Sequence, residues 1–110
     1  MIYLANSFSL NMIEPPAILR VDEVGRDEFC NVAKIANNAL GHESTVQLVN
    51  TLCGTQLSVN RVAIKAQDSD EIYVVQLMTR LPEGKVLNLN EILELYNQGK
   101  IKFYKVTVKY

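Results

Sequence analysis

Histidine is almost missing from this 110-residue chain: His42 is the only one. Cysteine is scarce as well, and Cys30 and Cys53 lie far apart, outside any CxxC pattern. One histidine and two separated cysteines form no metal-ligand set of familiar spacing, so no metal and no other cofactor is expected. Both cysteines fall in apolar helical runs, which predicts buried free thiols in a reducing compartment. Neither sign of charge is in excess: 11 Lys and Arg against 12 Asp and Glu leave a net −1. Long nucleic acid would find no bulk basic field, and any polyanion bound must be small and met by a local cluster. The glycines Gly41, Gly54, Gly84 and Gly99 sit at isolated turns, which excludes a Walker-type phosphate loop. No serine occupies a nucleophile elbow, and no carboxylates are paired as a two-metal nuclease requires. No apolar run approaches the ~20 residues needed to span a bilayer. Met1–Phe8 lacks the basic region and apolar core of a signal peptide. A cytoplasmic protein without a membrane partner is expected. Internal repeats and low-complexity tracts are absent.

What remains is an ordinary globular composition, 48% hydrophobic and 21% charged, long enough for one domain with one core. Ile2–Ala5 is a short, continuously apolar run that fits a strand buried on both faces. It ends in the uncharged polar stretch Asn6-Ser7-Phe8-Ser9-Leu10-Asn11, which is either a loop of local turns or a polar lip beside a ligand. After Pro15-Pro16, Ala17–Asp22 reads as a second strand. A helix through Arg26–Ala36, begun by Asp22 or Gly25, presents Phe29, Val32, Ala33 and Ala36 on one face. Asn37–Gly41 reads as its closing loop. The next helix carries Val46, Val49, Leu52 and Cys53 on one side and stops at Gly54. Ser44 or Thr45 can cap its start, and the Ser44–Gln47 spacing allows a capping box.

Arg61–Lys65 alternates polar and apolar residues. With the turn signal Asp68-Ser69-Asp70 and the strand Ile72–Thr79, it predicts a β-hairpin. Arg80–Lys85 is a charged Pro/Gly loop. Asn88 or Asn90 caps a helix through Glu91–Tyr96, which Gly99 ends. Ile101–Val108 alternates as a last strand, its lysines suggesting an edge. The order β-β-α-α-β-β-α-β predicts an α+β domain with a five-stranded mixed sheet flanked by helices.

One stretch concentrates chemistry. Gly41-His42-Glu43-Ser44-Thr45 places the single histidine and two hydroxyls at a helix start, where unpaired N–H groups and the macrodipole favour an anion. His42 is either a surface or capping residue or a proton donor to a phosphodiester leaving oxygen. Metal-free cleavage of an RNA phosphodiester also requires an in-line 2′-OH and stabilisation of phosphate charge. Arg61 and Arg80 are the candidate phosphate clamps, because guanidinium meets phosphate in a bidentate fork. Glu83 either orients Arg80 or a ribose hydroxyl, or is simply exposed.

Several motifs then match a known family in their expected order: Tyr3–Met12, Gly41–Asn50, Leu52-Cys53-Gly54-Thr55, Asn60-Arg61-Val62, Gln76 and Arg80-Leu81-Pro82-Glu83-Gly84-Lys85. The chain resembles, over nearly its whole length, the viral ring nucleases, the type III anti-CRISPR proteins of archaeal viruses. That resemblance implies a homodimer that binds cyclic tetra-adenylate and cleaves it without metal, using the 2′-hydroxyl as nucleophile. It implies His42 as general acid, with Arg80 and Glu83 as further active-site residues. It places Asn6, Ser9, Asn11, Ser44, Thr45, Arg61 and Gln76 on the ring-binding surface, and the protein in the host cytoplasm. The residues by themselves support an α+β domain with an anion site at His42. A dimer that sequesters a cyclic oligonucleotide, or binds other nucleic acid, is the alternative.

Overall fold

Strand β4, Glu71–Leu77, is the axis of the molecule in a computed structural model that describes all residues, Met1–Tyr110. Ile72, Tyr73, Val74 and Val75 are all buried because both faces of this strand are covered. Ile72 and Val74 enter one apolar layer with Ala5, Val106 and Val108; Tyr73 and Val75 enter the other with Phe29, Leu48 and Phe103. Strand β1, Ile2–Ala5, runs parallel to β4 with Leu4 opposite Tyr73. The remaining elements are β2 (Ile18–Val24), α1 (Arg26–Ala33), β3 (Asn37–Asn38), α2 (Glu43–Cys53), α3 (Leu89–Asn97) and β5 (Ile101–Lys109). The sheet order is β2-β5-β4-β1-β3, with β1 parallel to both β3 and β4 and the other pairs antiparallel. This is the expected α+β, five-stranded mixed sheet.

All three helices contribute to one layer, through Phe29 and Ala33 of α1, Val46, Leu48 and Val49 of α2, and Ile92 of α3. Phe29 stacks on Phe103 with ring centroids 4.1 Å apart, joining α1 to β5. The opposite face has no α-helix, only the single 3-10 turn Leu10–Met12. Loop residues Phe8, Met12, Ile13, Ile64 and Ala66 cover part of it.

Three expectations about strands are corrected. Arg61–Lys65 is not a strand and forms no hairpin, because β1 and β5 already occupy both edges of β4. Its alternation is real but serves the loop layer: Ile64 and Ala66 are buried while Lys65 is exposed. The fifth strand is instead Asn37–Asn38, so the order is β-β-α-β-α-β-α-β. Two asparagines carry neither strand propensity nor a period, which hid this strand in the sequence. β5 is interior, not an edge. Its Lys102 and Lys105 reach Glu23 on β2 and Glu71 on β4, at 3.5 and 3.8 Å. Strand β2, by contrast, has a free side.

The helices end as their punctuation suggests. Gly54 takes φ +68 after α2, a conformation glycine adopts without steric cost. Asn88 caps α3 in a capping box: its side chain accepts from Glu91 N–H at 2.9 Å, and Glu91 accepts from Asn88 N–H at 3.1 Å. α1 is shorter than its periodicity, stopping at Ala33.

The two cysteines are not free. Cys30 and Cys53 form a disulfide that ties α1 to the last turn of α2, with Cα atoms 5.0 Å apart. Arg26 supports the same junction by donating to the Leu52 carbonyl at 3.0 Å. Helix packing brings the thiols together, and sequence spacing alone carried no sign of it.

Asp70, only 3% exposed, anchors the turn before β4. It accepts from the Met1 ammonium at 2.6 Å and from Gln67 N–H at 2.8 Å. Burial pushes this carboxyl up, but those two hydrogen bonds and the ammonium charge outweigh it and hold its pKa below the ordinary value.

Two outcomes follow from these anchors. Replacing both Cys30 and Cys53 by Ser should cost about 3 kcal/mol, given the 23-residue separation, and lower the thermal midpoint. Equal midpoints for oxidised wild type and variant would contradict this. Asp70 has a lowered folded pKa, so its contribution is present above the unfolded carboxylate pKa and is lost as pH falls through the folded value. Asp70→Asn should therefore flatten the acid limb of a stability–pH profile, and an unchanged limb would refute the role.

Candidate functional site

The parallel strands β1 and β4 both run toward the start of α2. β1 ends at Ala5, and the next side chain, Asn6, accepts a hydrogen bond from Gly41 N–H at 2.9 Å. Arg61 Nε donates to the Gly41 carbonyl at 2.8 Å. The residues leading to Gly41 are held similarly. Ala39 N–H donates to the Leu4 carbonyl at 2.9 Å, and Leu40 N–H donates to Asn38 Oδ1 at 2.9 Å. Asn60 N–H donates to the Leu40 carbonyl at 2.8 Å. A Cβ on Gly41 would lie 3.2 Å from Arg61 Cγ and 3.6 Å from Asn6 Oδ1, so glycine permits this close approach.

His42 follows as the N-cap of α2, with extended backbone (φ −122, ψ 131). Its carbonyl accepts from Val46 N–H at 3.1 Å, the first bond of the helix. Its imidazole is exposed and uncommitted; no side chain caps α2. The first N–H groups of an uncapped helix lie outside its own ladder. Ser44 and Thr45 are therefore not caps. They stand within the first turn, Thr45 buried and Ser44 half-buried, and the Ser44–Gln47 capping box does not form. Gln47 instead donates to Glu43 Oε1 at 3.4 Å.

His42 stands between two hollows. One, of about 480 Å³, has Asn6, Ser7, His42, Ser44, Thr45 and Lys85 among its polar lining and a floor that includes Val75, Leu77 and Ile101. The other, of about 410 Å³, is shared by Asn6, Ser7, Gly41, His42 and Arg61. Asn6, Ser44, Thr45 and Arg61 thus gather around His42 as the sequence suggested. Ser7, part of the polar lip after β1, and Lys85 also border it, although neither was among the individual candidate residues. Position was the available signal: Ser7 lies two residues beyond the end of β1, and Lys85 closes the charged loop. Lys85 also pairs with Glu91, and this ammonium, together with Asn88 N–H, holds that carboxyl below its usual range.

Other candidates lie elsewhere. Gln76 and Arg80 line a third hollow, of about 730 Å³, with Phe8, Val21, Val74, Met78, Tyr104 and Val106. Val74 and Val106 belong to the layer without an α-helix, so this hollow opens on that face of the sheet, as does the smaller hollow at His42, whose lining includes Ala5, Ala39 and Ile64. Gln76 donates to the Leu77 carbonyl at 2.9 Å. Glu83 is exposed in the loop and forms no ion pair with Arg80. Ser9 donates to Asn11 Oδ1 at 2.6 Å, and Lys65 Nζ donates to the Asn11 carbonyl at 2.8 Å. These sit on the loop beyond β1, outside the hollows around His42. No three His, Cys, Asp or Glu side chains come together in a way that could hold a metal ion. No helix is long and apolar enough to cross a membrane.

Comparison with known proteins gives a consistent family. The STIV B116-like family model matches residues 2–105. The uncharacterized protein ORF116 of Acidianus filamentous virus 1 is 36% identical, over 96% of this chain and 94% of that protein. The uncharacterized protein ORF117 of Acidianus two-tailed virus is 27% identical, over 84% and 83% respectively. Among solved structures, B116 of Sulfolobus turreted icosahedral virus matches with a TM-score of 0.78 and 45% identity, over 96% of this chain and 97% of that one. Nearly every residue from β1 to β5 falls within these matches, and the chain belongs to the STIV B116-like family, with relatives in archaeal viruses.

Proposed function

We propose that this protein is a homodimeric, metal-independent ring nuclease that binds and cleaves cyclic tetra-adenylate, thereby suppressing type III CRISPR signalling. The observation that carries this reading is His42: an exposed, uncommitted imidazole at the uncapped start of α2, between hollows whose polar lining includes Asn6, Ser44, Thr45, Lys85 and Arg61. One phosphodiester of the ring would lie against the N–H groups of the first turn and the Ser44 and Thr45 side chains. The adjacent 2′-hydroxyl attacks phosphorus, releasing its proton to water, as the bond to the 5′-oxygen breaks, and protonated His42 gives a proton to that departing oxygen. The product carries a 2′,3′-cyclic phosphate. No cofactor is invoked.

The resemblance puts Arg80, Glu83 and Gln76 at the same ring, yet within one chain Arg80 and Gln76 border a different hollow from His42. A second copy reconciles these facts. A four-phosphate ring has two-fold symmetry, and a C2 dimer presents the same patch twice. Two copies each of Arg61 and Arg80 then supply four cations against four phosphates, despite the chain's net −1. The open apolar hollow around Val21, Tyr104 and Val106 is the face we assign to that second copy. Closure of the Arg80–Gly84 loop over the ring would exclude water and strengthen those charges.

Single-turnover cleavage of labelled cyclic tetra-adenylate in EDTA tests the chemistry. His42→Ala should slow cleavage by roughly 10²–10⁴-fold while ring binding persists. Its folding stability should stay within about 0.5 kcal/mol of wild type, since the imidazole makes no bond. Tight binding without wild-type cleavage would replace the nuclease by a sequestering protein, and absence of binding would remove the ring as ligand. Val21→Lys, at a position 59% exposed, should fold normally but sediment as a monomer and lose turnover. A fully active monomer would refute the shared site.

A further inference from the structure

Arg61 is placed on the ring-binding surface by the resemblance, yet its Nε is already spent on the Gly41 carbonyl, 2.8 Å away. Asn6 is likewise engaged, its Oδ1 accepting from Gly41 N–H at 2.9 Å. We infer that Asn6 and Arg61 are positioning residues that grip the Gly41 residue from both sides and so aim the His42 imidazole. This inference rests on the ring-nuclease reading and adds a division of labour to it.

The geometry supports such a grip. His42 is the next residue, and its own carbonyl is held by Val46 N–H at 3.1 Å, so its backbone is fixed before and after the side chain. Only the side-chain torsions remain free. A proton donor without a side-chain partner must be pointed by its backbone, and small misplacements of a reacting group are costly. Asn6 directly follows β1, while Arg61 comes from the loop after α2, so the grip joins two separate parts of the chain at Gly41. The missing side chain at Gly41 is part of the device, because a Cβ there would press on Arg61 Cγ at 3.2 Å. Arg61 keeps its terminal Nη atoms without a protein partner, so the same side chain can still offer charge to a phosphate.

Two substitutions separate aim from charge. Arg61→Gln removes the guanidinium but keeps an N–H donor the same number of bonds from Cα as Nε. Arg61→Met has similar bulk and no donor. With cyclic tetra-adenylate in EDTA, Gln should raise KM and keep kcat within about 3-fold of wild type, whereas Met should also lower kcat by roughly 10-fold or more. Gly41→Ala removes no polar group and should lower kcat with little change in KM.

A second readout needs no turnover. His42 is the only histidine, so its Cε1–H gives one resolved NMR signal with no overlap from another imidazole. That signal should match wild type in Arg61→Gln and shift in Arg61→Met and Gly41→Ala. Gly41 amide exchange should accelerate in Asn6→Ala. Equal kcat and an equal His42 signal in the Gln and Met variants would overturn the inference and leave Arg61 as a charge alone. If wild type cleaves no ring, the nuclease reading falls, and the His42 signal and Gly41 exchange still decide whether the grip exists.

Discussion

Parallel pairing is the constraint on which the site depends. Parallel strands cannot be joined by a tight turn and need a crossover, which a helix on one face of the sheet supplies. Here β3, β1 and β4 are parallel neighbours, and α2 lies in the connection from β3 to β4. A helix entered from β3 must begin beside the C-terminal ends of these strands. That places the start of α2 against the residue that leaves β1, Asn6. The location follows the general rule that open α/β sheets bind ligands beyond the carboxyl ends of their strands. It arises here from only two residues of β3, which are too short to matter energetically but set the chain's path.

The two faces of the sheet have different roles. The helix face holds the larger apolar layer, with Phe29 stacked on Phe103 and the disulfide fastening α1 to the far end of α2. That rigidity is useful at the near end, because α2 carries His42 at its first cap. The other face is only partly covered by loops, and its exposed portion borders Arg80 and Gln76. The proposed site draws on side chains that border separate hollows within one chain. The proposed dimer answers that geometry, and the near-neutral charge of the chain is compatible with it because the charges that count are local.

Asparagine contributes more to this structure than its weak strand propensity suggests. Asn38 accepts from Leu40 N–H and donates to the Ser58 carbonyl at 2.6 Å, and Asn60 Nδ2 donates to the Asn38 carbonyl at 2.8 Å. Asn50 accepts from Leu57 N–H and donates to its carbonyl, both at 2.9 Å, folding the loop after α2 back on the helix. An amide side chain offers both a donor and acceptors, so it can substitute for a missing strand neighbour. The Asn38–Gly41 approach to His42 is therefore ordered without a long strand beneath it.

Local chemistry was legible in the sequence wherever a residue acts through its own backbone or its immediate neighbours. Gly54 ending α2, Asn88 capping α3, the turn at Asp68–Asp70 and the apolar run of β4 are all short-range effects. The prominence of His42 at a helix start was legible for the same reason. The tertiary structure alone decided which segments pair. It left Arg61–Lys65 unpaired because β4 had no vacant edge, and it made a strand of Asn37–Asn38 because β1 did. It joined Cys30 to Cys53 and set Arg61 against Gly41 while leaving Arg80 at a separate hollow. Those outcomes depend on contacts between residues distant along the chain, which neither periodicity nor spacing encodes.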